Sequence, residues 1–183
     1  MQNTKTDEKV ILVTSDEAAK FDERAARWAG CTQHRFYLLT KQPQNLHKWI
    51  FPENCWVGVT VCNQEMADEY IPHLLRVDAA VRFVSIEPML GPIDLEKNIS
   101  EHALIKPIAF LDLIIIGSQT KPTVMPRIEW VSEIVQAADR AGVKVFLKDS
   151  LLLKTLPVVA PYWTGLSGLS DEHLTAKYRQ EMP

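Results

Sequence analysis

Cysteine is scarce in this chain, and what there is lies scattered: Cys31, Cys55 and Cys62 are an odd number among 183 residues. A disulfide framework needs paired cysteines and a secretory route. The start, Met1 to Lys9, is polar and of mixed charge, so reduced thiols and a cytoplasmic location are expected. Cys55 and Cys62 are seven apart across one predicted strand, and an odd spacing sends them to opposite faces. That leaves no close pair to nucleate a zinc or iron–sulfur site, so no metal is expected on this chain. No apolar run reaches the roughly 18 residues of a membrane helix. The glycines form neither a phosphate loop nor a Gly-x-Gly-x-x-Gly turn, and Thr164-Gly165-Leu166-Ser167-Gly168 has the wrong spacing for a serine-hydrolase elbow. Charge of one sign is lacking too. The net charge of −3 gives no general pull toward nucleic acid or an anionic membrane.

What is present is enough for one folded domain spanning residues 1–183, with a flexible start at 1–9, βα repeats over 10–149 and a tail over 150–183. Six runs rich in β-branched and aliphatic residues recur: Val10 to Thr14, Phe36 to Thr40, Trp56 to Val61, Val81 to Ile86, Leu111 to Ile116 and Val143 to Leu147. They are almost continuously apolar, the pattern of parallel strands buried on both faces. Helical segments alternate with them. Glu17 to Trp28 places Ala18, Phe21, Ala25 and Trp28 along one face, and Pro43 opens a short helix with Leu46, Trp49 and Ile50 on one side. Asn63 caps a helix running to Val77 that should present Met66, Tyr70, Leu74 and Leu75 inward and kink at Pro72. Ile128 to Ala141 turns Val131, Ile134, Val135 and Ala138 inward and stops at Gly142. The connection from Leu90 to Ile108 reads as an ordered excursion with at most a helical turn near Leu95. A final helix is expected over Asp171 to Gln180.

In parallel α/β folds ligands gather beyond the C-terminal ends of the strands, where loops and helix N-termini converge. The candidates for binding a polar small molecule are therefore Thr14 and Asp16, Thr40 and Lys41, Asn63 and Gln64, Ser85 and Glu87, Ser118 and Gln119, and Lys148 and Asp149. Glu87 is the sharpest. Ile86 and Pro88 hold it at the mouth of an apolar strand, where a carboxylate needs a partner, and Lys41 and Lys148 can supply one. An acid–base role for Glu87 with Lys41 or Lys148 stands beside a purely structural ion pair. Asp16 and Asn63 read equally as helix caps, and Ser118 and Gln119 follow a glycine that permits close backbone approach.

Several blocks in order carry a resemblance: Leu38-Leu39-Thr40-Lys41 with Pro43, Trp56-Val57-Gly58-Val59-Thr60-Val61 with Asn63-Gln64, Ile71-Pro72-His73-Leu74-Leu75, Ser85-Ile86-Glu87-Pro88 through Ile93, and Met125-Pro126 before Trp130-Val131. From about Val10 to Asp149 the chain resembles the phage Gp37/Gp68-like family, a branch related to radical S-adenosylmethionine barrels. It departs from that family at Gly117-Ser118-Gln119-Thr120, where a Gly-Gly-Glu-Ser-like turn is usual, and at Leu147-Lys148-Asp149-Ser150, where a Phe-Lys-Gln-Trp-like ending is usual. The resemblance implies a partial, open (β/α)6 barrel, with a doubly wound open sheet as the alternative. It implies S-adenosylmethionine and a four-iron cluster only if a partner supplies the cysteines. Six strands leave two edges, to be covered by the tail, a second copy of the chain or a different protein. The expected function is a phage- or mobile-element-related module that binds a ligand or partner. The alternatives are half of a split radical S-adenosylmethionine enzyme or a small acid–base enzyme. Nucleic-acid association is suggested by family context alone.

Overall fold

The computed structural model describes residues 10–13, 28–97 and 106–151. The apolar runs within them become strands β1 (Val10–Val13), β2 (Arg35–Thr40), β3 (Cys55–Thr60), β4 (Val81–Ile86) and β5 (Leu113–Ile116). A small antiparallel hairpin, β6 (Gln119–Thr120) and β7 (Thr123–Val124), precedes β8 (Lys144–Leu147). β1 to β5 and β8 form one sheet in chain order, β1-β2-β3-β4-β5-β8, and every pair is parallel. No sheet closes among the described residues.

Two helices, α1 (Gln64–Leu75) and α2 (Ile128–Ala141), connect β3 to β4 and the hairpin to β8. Asn63, in extended backbone, caps α1 through a 2.9 Å bond from the Met66 N–H to its Oδ1. α1 stays helical through Pro72. Its inward stripe is Ala67, Ile71 and Leu74; of the residues expected inward only Leu74 is buried, while Met66, Tyr70 and Leu75 lie half-buried beside the stripe. These three residues form an i, i+4, i+7 row that begins at Ala67, the narrow apolar stripe of an amphipathic helix. α2 turns Val131, Ile134, Val135 and Ala138 inward as its periodicity demands. It ends at Gly142, whose φ of 72° is the left-handed conformation a C-terminal glycine allows. The Gly142 and Val143 N–H groups close on the Asp139 and Ala138 carbonyls.

Both helices pack on one face of the sheet. Leu38, Val57, Val59, Val84, Ile86, Ile114, Ile116, Val145 and Leu147 share a core with α1 and α2, whereas Tyr37, Trp56, Val81, Phe83 and Leu113 form a second cluster. The alternation of strand residues separates the two sets. A doubly wound sheet reverses its strand order at a switch point and carries helices on both faces. Among the described residues the strands keep chain order and both helices lie on one face, in a parallel sheet that does not close.

Local expectations fail where backbone geometry outweighs apolar periodicity. The segment opened by Pro43 is a 3-10 helix, Pro43–Lys48; it buries Leu46 and leaves Trp49 half-buried, but Ile50 lies beyond its end with 90% of its surface exposed. The excursion after Leu90 keeps within the expected limit of one turn near Leu95, which is buried in a turn at residues 95–96, and a 3-10 turn forms later at Pro107–Phe110. β5 starts at Leu113 and β8 at Lys144, two and one residues later than expected. Thr14, Asp16, the first helix up to residue 27 and the tail with its final helix lie outside the described residues. No helix among the described residues is long and apolar enough to cross a membrane.

Candidate functional site

Three backbone features bring a carboxylate and an ammonium together at the C-terminal ends of the strands. The ladder continues one step past β4, β5 and β8, with the Gly117 N–H bonded to the Ile86 carbonyl at 3.0 Å and the Lys148 N–H to the Ile116 carbonyl at 2.9 Å. Ser85, Ile115 and Phe146 are cross-strand partners. Two residues further on, Glu87, Gly117 and Lys148 therefore share their face, the one opposite α1 and α2. Lys148 Nζ reaches across the glycine and donates to both Glu87 oxygens, at 2.7 and 2.8 Å.

Gly117 is the seat of this pair. A Cβ there would lie 2.9 Å from the Glu87 Cδ and Oε1, so the carboxylate rests on the bare backbone of β5. The Glu87 side chain is 27% exposed and that of Lys148 41%, so solvent reaches both partners. A pair this exposed contributes at most about 1 kcal/mol to stability, since water screens it. It still offers a ligand oxygen lone pairs and an ammonium donor.

Around the pair the strand-end polar groups divide by role. Ser118 is buried and spent on structure: its hydroxyl donates to the Ser150 carbonyl at 2.7 Å and its N–H to the Ser150 hydroxyl at 3.3 Å. This double bond of β5 to the 3-10 turn Asp149–Leu151 fixes the chain that follows Lys148. Gln119 is half-exposed in β6 opposite Val124, and Asp149 is exposed. Asn63 is the α1 cap, and Gln64 bonds Asp68 and the Asp94 backbone N–H, tying α1 to the excursion. Thr40 is buried and accepts from the Gln42 N–H at 2.9 Å. Lys41 is exposed and does not join Glu87 in an ion pair; its charge is felt at Cys62. Glu87 and Lys148 thus meet, while Lys41 is left at the rim.

Ser85 and its β3 partner Thr60 are 3% and 4% exposed, one step below the pair on the same face. Thr60 was not among the residues singled out from the sequence, and Gly117 was noted there only as a glycine that permits close backbone approach, not as a seat for Glu87. Counting by twos back from Glu87 and across the ladder finds both, but only once the strand register is known.

The cysteines occupy unrelated surroundings. Cys55 belongs to the core under the helices, where burial pushes its thiol up to about 12. Burial also raises Cys62, and Lys41 partly offsets it. Cys31 lies half-buried near the loop before β2. Their separation does not fit a shared iron–sulfur cluster, which needs several thiolates converging on one center. No group of three or more histidines, cysteines and carboxylates among the described residues could hold a metal ion.

An open cavity of about 570 Å³ lies at the other end of the sheet, lined by residues including His34, Arg35, Glu53, Asn54 and Trp56. Some of its polar groups hold the loop, while the buried His34 Nδ1 has no hydrogen-bond partner among the described residues. The Arg35 guanidinium lies over the Trp56 ring at 4.2 Å, and the Asn54 amide donates to the carbonyls of Trp28, Cys31 and His34. The Glu87–Lys148 end is the better candidate, because a carboxylate and an ammonium meet there at the strand ends and both reach solvent.

A family model described as a protein of unknown function, DUF5131, matches residues 15–151. Comparison with curated proteins and with solved structures gives no match.

Proposed function

We propose that this chain, which belongs to the DUF5131 family, binds a small polar ligand at the C-terminal ends of β4, β5 and β8, with Glu87 and Lys148 as its anchor. The observation that carries this reading is the two-oxygen contact of Lys148 with Glu87, seated on Gly117 and open to solvent. A pair meant only to seal the end of the sheet gains nothing from a bare glycine beneath it and solvent above it. A thermal-shift screen of sugars, amines and carboxylates tests the reading against Glu87→Gln and Lys148→Met. A ligand that raises the midpoint of the wild type and of neither variant supports it. Identical responses of all three proteins to every ligand refute it.

The same proposal takes the sheet as part of a barrel of the radical S-adenosylmethionine type, kin to the Gp37/Gp68-like proteins. Support comes from the uninterrupted chain order of the parallel strands and from the packing of both described helices on one face. Right-handed connections between strands laid down in order produce that one-sidedness. A cluster and S-adenosylmethionine would enter only with cysteines from another polypeptide, because the three here stand apart. Native mass spectrometry of protein purified without oxygen decides this: extra protein mass with iron and sulfide supports a two-chain assembly, and a bare chain refutes it.

A further inference from the structure

We infer that the ligand is a neutral polyol presenting a vicinal diol, bound by Glu87 and Lys148 above a floor made by Thr60 and Ser85; this rests on the reading of the site proposed above. The first step is charge. With both Glu87 oxygens on one ammonium, the pair has no net charge to attract an ion, and an ionic ligand must break bonds of 2.7 and 2.8 Å to be neutralised. A hydroxyl both donates and accepts. It can give its proton to a Glu87 oxygen and take one from the remaining Lys148 N–H, leaving the pair intact.

The second step is the floor. Thr60 and Ser85 are partners across β3 and β4, on the face of Glu87 and two residues before it in β4. Neither hydroxyl has a hydrogen-bond partner among the described residues, although both residues are almost completely buried. Buried hydroxyls without partners cost stability, and a polar ligand arriving from the strand ends would satisfy them. Two adjacent hydroxyls below and one donor–acceptor pair above match two adjacent hydroxyls on the ligand. Aromatic carbon lies deeper: Phe83 covers Gly58, and Tyr37 and Trp56 pack beside it. This apolar base suits the carbon skeleton of a sugar better than a compact ion.

Saturation-transfer NMR on the full chain tests the inference, with acetate, inorganic phosphate, and ribose and 2-deoxyribose locked as their methyl furanosides as probes, so that only the ribose ring carries a vicinal diol. Ribose is expected to bind at least about tenfold more tightly than its 2-deoxy counterpart, because a site built for a hydroxyl is left with unpaired polar groups when that hydroxyl is missing. Thr60→Val and Ser85→Ala should each weaken ribose about three- to tenfold, and Glu87→Gln should weaken it more. Ribose affinity should not change when salt is raised to about 0.5 M, since no net charge is involved. Equal binding of the two sugars overturns the diol assignment. Binding of acetate or phosphate in place of ribose, lost in salt and in Lys148→Met, overturns the polyol class while leaving the Glu87–Lys148 site standing. If no probe binds the wild type, the polyol assignment falls, and the thermal-shift screen described above decides the Glu87–Lys148 site separately.

Discussion

Replacing Gly117 by alanine separates the Glu87–Lys148 pair from the stability of the sheet. The new methyl carbon would stand 2.9 Å from the Glu87 Cδ and Oε1, where ordinary contact begins at 3.4 Å, an overlap of about 0.5 Å. The obstructing group is the far end of a flexible side chain that already reaches solvent, so Glu87 swings out rather than the backbone yielding. Loss of the ion pair costs about 0–1 kcal/mol at this exposure. Gly117 has ordinary backbone dihedrals, so alanine restricts the unfolded chain and returns about 0.4–1 kcal/mol. The two nearly cancel. Urea unfolding should place the variant within about 1 kcal/mol of the wild type, and heating within about 2–4 °C. The Lys148 ammonium protons, followed by NMR, should lose their protection from exchange, and ligand affinity should fall with them. A loss of more than about 3 kcal/mol, or an ammonium still protected in the variant, would show that Glu87 does not rest on Gly117 as described.

Gly58→Ala should behave oppositely: its methyl would meet the buried Phe83 ring at 2.5 Å, and overpacking of this kind costs about 1–3 kcal/mol by denaturant unfolding, largely recovered in a Gly58→Ala, Phe83→Leu double variant. Asn54→Ala removes a donor shared by three carbonyls and should cost about 2 kcal/mol, with hydrogen exchange accelerating across residues 28–36 first. The excursion after Leu90 is tied down by exposed carboxylates. Hydrogen bonds from Arg140, and after burial's opposing effect from Lys106, hold Glu96 below the ordinary carboxylate range. At Asp68 burial acts upward, but Lys97 and Gln64 together bring it down. Folded-state values below the unfolded ones mean a contribution present above the unfolded carboxylate range and lost as pH falls through the folded values. Protection from exchange in residues 90–97, taken relative to the intrinsic rate at each pH, should therefore fall selectively below about pH 4, and high salt at neutral pH should reproduce part of the loss. Protection that is unchanged by acid would remove these pairs from the account.

Much of the architecture was decided by the sequence, because burial on both faces leaves a signature in each strand separately. The run Trp56-Val57-Gly58-Val59-Thr60-Val61 needs no knowledge of its neighbours to be read as a parallel strand. Asn63 before α1 and Gly142 after α2 are equally local, since a cap and a left-handed stop act within one turn of the chain. Glu87 announced itself as a carboxylate in apolar company. Which lysine would meet it could not be read, because Lys41 and Lys148 flank it at 46 and 61 residues and only the strand order sets β8 beside β5. The packing of both described helices on one face, the position of Gly117 under the carboxylate, and the alignment of Thr60 with Ser85 all depend on cross-strand register. Register is a relation between segments distant in sequence, fixed by which hydrophobic faces pack together, so no single segment contains it.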